Sequence, residues 1–230
     1  MKKKTINCEE KWNEISNMYA RKDINYNSFP FNVLKRYKNI RFLEAGSGDG
    51  ETAIFMSKLG NKVIGIEIAD NFLKMSNKKI NRLKIKNIKF IKGDVRKMPF
   101  KDNYFDLIFS GGVIEHFNET FESLKEHIRI LKKNGHILIG VPCKQGLHYP
   151  LKKIMQFLGI WNIGFEKSFS KQDFKKKLIK NNLKILEEFY IPIEATSSQT
   201  NFRYKITKVV SVLDTYLGGT HMMYFLCAKR

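Results

Sequence analysis

Between residues 40 and 141 the chain alternates short apolar runs with amphipathic stretches. Residues 40–44, 62–67, 88–91, 104–110 and 136–141 are runs rich in Ile, Val, Phe and Leu, of strand length. Residues 51–59, 71–81 and 121–132 carry apolar side chains at helical spacing. Parallel strands need a crossover of a dozen or more residues, usually a helix. The alternation therefore predicts a parallel sheet covered by helices on both faces. Gly60 is placed to cap the first of these helices, and Asn134-Gly135 predicts a turn ahead of the fifth strand.

The flanks read differently. Residues 9–21 form a polar helix candidate carrying Trp12, Ile15 and Tyr19 at helical spacing, followed by a turn-rich patch to Pro30 and a short helix at 31–38. Residues 1–39 thus read as an N-terminal helical cap on a main domain of residues 40–230. After Pro142, an apolar amphipathic segment spans 150–161, and Ser170 with Asp173 forms a capping-box-like start to a basic helix ending near 180. A sixth strand is expected at 183–191, a helix at 202–217 and a last strand at 222–227. The stretches at about 144–168 and 192–220 read as insertions on the substrate side.

The strongest local signal is Glu44-Ala45-Gly46-Ser47-Gly48-Asp49-Gly50, between the first strand and its helix. Glycines let a backbone turn sharply and approach a ligand closely, and the helix start supplies unpaired N–H groups. A pyrophosphate site wants Gly-x-Gly-x-x-Gly, but here the last position is Glu51, whose carboxylate would repel phosphate. Glu44 and Asp49 add further negative charge. This rim suits a ligand with cationic groups and no phosphate. Glu67 ends the second strand, where a carboxylate accepts hydrogen bonds from both ribose hydroxyls in doubly wound sheets. Asp94 follows the third strand and is placed to meet an exocyclic adenine amine. Together these features describe a nucleoside with a positively charged tail.

These motifs resemble the class I S-adenosylmethionine (SAM)-dependent methyltransferases, especially the methyltransferase type 11 group that includes ubiquinone/menaquinone biosynthesis enzymes. The matching stretches are 43–50, 63–67, 93–99, 105–117 and 131–141, so the resemblance covers about residues 40–142. It implies a Rossmann-like, doubly wound α/β fold with a seven-stranded sheet of order 3-2-1-4-5-7-6, the last strand antiparallel. It implies SAM as cofactor and S-adenosylhomocysteine as product. On that pattern Glu44, Gly46, Ser47, Gly48 and Gly50 line the methionine part, Glu67 with Ile68 holds the ribose, and Asp94 with Val95 holds the adenine. Ser110 and Gly111 pass beside the sulfonium. Tyr19 and Arg21 end the first helix, which in similar enzymes covers the cofactor; a plain surface helix end is the other reading.

The run Ser110-Gly111-Gly112-Val113-Ile114-Glu115-His116 sits at the C-terminal end of the fourth strand, where α/β sites form. Alignment and desolvation supply most of the rate of an in-line methyl transfer. A base is needed only when the nucleophile carries a proton, and His116 has the intrinsic pKa for that role. Glu115 is its candidate companion. The alternative is that both only shape the pocket. The five histidines are scattered without ligand spacing, so no metal site is expected.

Lys and Arg number 42 against 22 Asp and Glu, a formal charge of +20. Such a charge raises a nucleic-acid reading, and an RNA methyltransferase stays open as an alternative, as does a non-catalytic SAM-binding protein. The basic residues are spread along the chain, mostly as Lys, with no basic tail and no RNA-binding appendage, so the charge reads as solvated surface. Contact with an anionic membrane surface stays open. No apolar run approaches the roughly 18 residues of a transmembrane helix. Cys8, Cys143 and Cys227 are isolated and odd in number, which points to a reduced, cytoplasmic setting. The expected partner is a small-molecule acceptor, methylated at oxygen or carbon, and the expected state a monomer or homodimer. Segments rich in aromatic and apolar side chains at 147–150 and 157–165 are expected to roof the acceptor pocket. His148, Tyr149 and Trp161 are the candidate substrate contacts.

Overall fold

The computed structural model describes residues 8–17, 30–159, 161, 164–191 and 221–230. The expected helix at 202–217, and Tyr19 and Arg21, lie outside the described residues.

The elements run α1 (Cys8–Ser16), α2 (Phe31–Leu34), β1 (Arg41–Ala45), α3 (Glu51–Lys58), β2 (Lys62–Glu67), α4 (Asp70–Leu83), β3 (Ile88–Lys92) and β4 (Phe105–Gly111). A 3-10 turn (Ile114–His116) follows, then α5 (Thr120–Ile130), β5 (Leu131–Pro142), α6 (His148–Phe157), α7 (Lys171–Lys180), β6 (Leu183–Ile191) and β7 (Met222–Lys229). The seven strands form one sheet of order β3-β2-β1-β4-β5-β7-β6. The first five are parallel, and β7 pairs antiparallel with both β5 and β6.

The strands are apolar on both faces because helices cover both. Phe42, Leu107 and Leu138 pack into one core layer, and Leu43, Ile108 and Ile137 into the other. Alternate residues of a strand point to opposite faces, so the adjacent pairs Phe42/Leu43, Leu107/Ile108 and Ile137/Leu138 are buried on both sides. Gly60 has φ +85 and ends the α3 turn, in the left-handed conformation typical after a helix C-terminus. Ser170 Oγ accepts from Asp173 N–H at 3.2 Å and caps α7.

Two local readings change. Asn134-Gly135 does not precede β5; it lies within it, and Asn134 takes φ +61. The register passes from Phe105↔Leu131 to Leu107↔His136, so the turn is absorbed as an irregularity in a continuing strand. The short helix expected over 31–38 is confined to Phe31–Leu34, and its Phe31, Val33 and Leu34 pack into the main core beside Phe42 and Ala53.

Candidate functional site

A cavity of about 620 Å³ opens at the C-terminal ends of β1, β2 and β4. Strand ends at this side of a parallel sheet present helix N-termini and loops, so ligands bind there. One half is bounded by Glu44, Gly46, Ser47, Gly48, Glu67 and Ile68, with Asp94 and Val95 beyond. The other half is bounded by Glu115, His116, His148, Lys152, Trp161 and Glu166. Trp12 of α1 and the Gly111-Gly112 segment lie along it as well.

In the first half, backbone amides hold the carboxylates of Glu67 and Glu44. Glu67 Oε2 accepts from Gly48 N–H at 2.7 Å, and Oε1 from Ile68 and Ala69 N–H, each at 2.9 Å. A carboxylate offers about four lone-pair directions, so these three bonds leave capacity toward a ligand. Burial raises the Glu67 carboxyl above its ordinary value, opposed by those three amides. Glu44 accepts from Ala53 N–H at 2.8 Å and so fixes the first turn of α3. Asp49 and Glu51 are gathered by Lys79 of α4, at 2.8 and 2.7 Å. The negative charge expected of the turn is therefore partly neutralised by a lysine some thirty residues away, which no local pattern announces.

The glycines of the turn differ among themselves. Gly46, Gly48 and Gly50 all have positive φ. A Cβ at Gly50 would lie 2.4 Å from Phe90, and one at Gly46 2.5 Å from Val113, whereas one at Gly48 would meet nothing within 4 Å. Gly50 is not part of the cavity wall; it lets α3 pack on Phe90. Ser110 is buried behind the wall, and its hydroxyl has no hydrogen-bond partner among the described residues. Asp94 is forked by its neighbour Arg96, with Nε 3.0 Å from both carboxylate oxygens. Burial pushes Asp94 up, but Arg96 outweighs it and holds the carboxyl below its ordinary value.

In the second half, the polar groups come from side chains. His116 Nδ1 lies 2.8 Å from the carbonyl of Phe165. A carbonyl only accepts, so that nitrogen carries the hydrogen, and Nε2 is left able to take a proton. Nε2 lies 4.0 Å from Glu115 Oε1, and the His116 ring stands edge-on to Trp12 at 4.9 Å. Burial lowers the His116 pKa and raises the Glu115 carboxyl well above the carboxylate range, the nearby Glu166 charge adding to the latter. His148 packs against His221 with ring centroids 4.0 Å apart, and against Trp161 at 6.3 Å. Lys152, 1% exposed, pairs with Glu166 and donates to Ser168 Oγ at 2.8 Å.

Of the expected substrate contacts, His148 and Trp161 reach the cavity, while Tyr149 borders a separate surface groove near Lys153. The aromatic roof is narrower than its composition suggests: Phe157 is 91% exposed and Phe165 51%. Leu151 and Met155, on the inward face of α6, line the cavity instead. Trp12, Lys152 and Glu166 carry no motif and emerge as cavity residues only from the fold; His221, which lacks a motif but falls near a possible active-site loop in the sequence, lines the cavity too.

The methyltransferase domain family matches residues 43–139. The ubiquinone/menaquinone biosynthesis C-methyltransferase UbiE of Wigglesworthia glossinidia brevipalpis is 30% identical over 176 residues, 70% of this chain and 69% of that protein. The chain belongs to the SAM-dependent methyltransferase family. The demethylmenaquinone methyltransferase of Chlorobaculum tepidum is 32% identical over 103 residues, 44% of this chain. That match spans 40% of the Chlorobaculum enzyme, so the chain covers about two fifths of some curated relatives. The crystal structure of YcgJ from Bacillus subtilis shares the methyltransferase fold with a TM-score of 0.67 at 18% identity, covering 86% of this chain and 97% of that one.

SAM, the family's methyl donor, can be tested against the residues present. The space over Gly48 admits a close ligand, the Ser47 hydroxyl is buried at the wall without a hydrogen-bond partner among the described residues, and Glu67 retains acceptor capacity. Carboxylates on this wall suit a ligand with a positively charged tail. The residues fit the methyltransferase cofactor.

Proposed function

We propose that this protein transfers the methyl group of SAM to a small-molecule acceptor, at oxygen or carbon. The observation that carries the reading is the backbone-built cradle of Gly46–Gly48 and Glu67, opening into the same cavity as a buried histidine with one unprotonated ring nitrogen. When bound, SAM supplies an electrophilic methyl on a sulfonium, for which alignment with the nucleophile provides most of the acceleration.

The chain's own residues divide the work. Gly46, Ser47 and Gly48 receive the methionine part, Glu67 the ribose hydroxyls, and Asp94 with Val95 the adenine edge. A ligand amine meeting Asp94 shares that carboxylate with Arg96. Gly111 ends β4 beside the reacting centre, with Ser110 buried behind it. His116 Nε2 accepts the acceptor's proton, while the Phe165 carbonyl fixes the ring and its tautomer. Trp12 of α1 packs edge-on against His116 along the cavity wall. Among the described residues no helix is long and apolar enough to cross a membrane.

The test has two arms. Calorimetric titration with S-adenosylhomocysteine should show one site, and isotope-labelled SAM should label members of a panel of phenols and quinols. Failure to bind S-adenosylhomocysteine overturns the cofactor assignment. Transfer of label to tRNA and to no small molecule overturns the acceptor assignment.

A further inference from the structure

The cavity's second half holds polar atoms that the methyl-transfer machinery does not employ. Neither ring nitrogen of His148 nor Nε1 of Trp161 has a hydrogen-bond partner among the described residues, although all three atoms are buried. Buried polar atoms left without partners are costly, so several of them on residues that line one cavity call for a polar ligand. The two rings are neighbours, 6.3 Å between centroids, and both border the same space. Burial, reinforced by the charge of Lys152, pulls His148 down to about 4. The imidazole is then neutral at neutral pH and offers one donor and one acceptor, while the indole N–H only donates.

The surroundings narrow the ligand further. Lys152 and Glu166 satisfy each other beside Trp161, so their two charges offset one another on the described wall, and burial raises the Glu115 carboxyl well above its ordinary value. Leu151, Met155 and Met222 line the space around the polar wall with apolar surface. An uncharged body with a hydroxyl at one end matches this combination, because a hydroxyl both donates and accepts.

Resting on the reading that the Gly46–Gly48 half holds the cofactor, we propose that His148 and Trp161 form an oxygen-recognition subsite for the acceptor, which is a hydroxyl-bearing ring compound. Trp161 Nε1–H donates to the hydroxyl oxygen, and the hydroxyl bonds a ring nitrogen of His148. His148 is thus a specificity residue, distinct from His116.

The probe pair is 4-nitrocatechol and nitrobenzene, titrated at about pH 5.5, where both are uncharged, into protein saturated with S-adenosylhomocysteine and followed by absorbance and calorimetry. The expected result is at least a tenfold preference for 4-nitrocatechol. His148→Phe and Trp161→Phe, which keep an aromatic ring, should each lower its affinity about 3- to 10-fold while leaving nitrobenzene and S-adenosylhomocysteine affinities unchanged. Equal binding of the two compounds by the wild-type protein, or no binding of either, overturns the subsite. So do folded variants that keep full 4-nitrocatechol affinity. If a variant does not fold, the wild-type preference decides alone. Failure of S-adenosylhomocysteine to bind overturns the underlying cofactor reading instead, so the two failures are told apart.

Discussion

The two halves of the cavity are built by different means. Around Gly46–Gly48 the buried carboxylates of Glu44 and Glu67 are held by main-chain N–H groups. Around His148 the buried charges are held by other side chains, Lys152 by Glu166 and Ser168. A site made of backbone changes little when side chains change, because every residue type supplies the same amide. A site made of side-chain pairs changes with each substitution. On the proposed function, the half built from backbone is the one generic to the fold, and the half built from side chains is the one that would set which compound is methylated.

The sharpest way to break this contrast is at Lys152. Removing one partner of a buried pair strands the other charge, at a cost of about 3–5 kcal/mol. Lys152→Ala should lower stability by that amount in urea denaturation, leaving Glu166 buried at 8% side-chain exposure. Replacing both residues by Met and Leu should recover most of the loss. A Lys152→Ala protein within 1 kcal/mol of wild type would show that the acceptor half does not depend on this pair.

Acidification tests the same half through His148. Its folded pKa of about 4 lies below the ordinary value of 6.5. As pH falls between these values the unfolded chain takes up a proton that the native state refuses. Stability is therefore full above pH 6.5, declines toward about pH 4 and levels off below it. The span corresponds to about 3 kcal/mol at 1.36 kcal/mol per unit. His116 and His127, also lowered by burial, act with the same sign. His148→Phe should flatten the slope in denaturation curves taken across this range; an unchanged slope would remove His148 as the cause.

The halves also differ in how far the sequence revealed them. The strand–helix alternation and the Gly46–Gly50 turn were legible because they are local: apolar runs of strand length, glycines at a strand–helix junction, and a carboxylate at the next strand end; the sheet order, a long-range property, came only through the family resemblance. The bulged start of β5 was not, since Asn134-Gly135 is as good a turn signal inside an irregular strand as before a regular one. Lys152 was illegible for a different reason. A lysine in an amphipathic helix reads as solvated, and only Glu166, fourteen positions on, makes its burial tolerable. Trp12 read as packing and stands against His116 across more than a hundred residues of sequence. Phe157 and Phe165 read as roof, but an apolar residue is no guarantee of an inward side chain.

On the cofactor side, Glu67→Ala removes a charged acceptor and leaves the amides of Gly48, Ile68 and Ala69 without it. S-adenosylhomocysteine affinity should fall by roughly 1.5–3 kcal/mol, about 10- to 150-fold. The thermal midpoint should fall too, because the same carboxylate braces the turn. An unchanged calorimetric affinity would take the ribose contact away from Glu67, whatever happened to the midpoint.

The smallest effect asks whether the turn's glycines serve the ligand or the packing. At Gly50 a Cβ meets Phe90 at 2.4 Å, so Gly50→Ala should lose stability directly. At Gly48 the added methyl meets no atom within 4 Å, and only the left-handed backbone, φ +51, opposes it. Gly48→Ala should cost the unliganded protein about 1–2 kcal/mol. If the open space over Gly48 is where the cofactor lies, its S-adenosylhomocysteine affinity falls at least tenfold, whereas Gly50→Ala loses stability with little change in affinity once folded. Equal losses of affinity and stability at both positions would mean that the whole turn is scaffold, and that the space beside Gly48 is not the cofactor's.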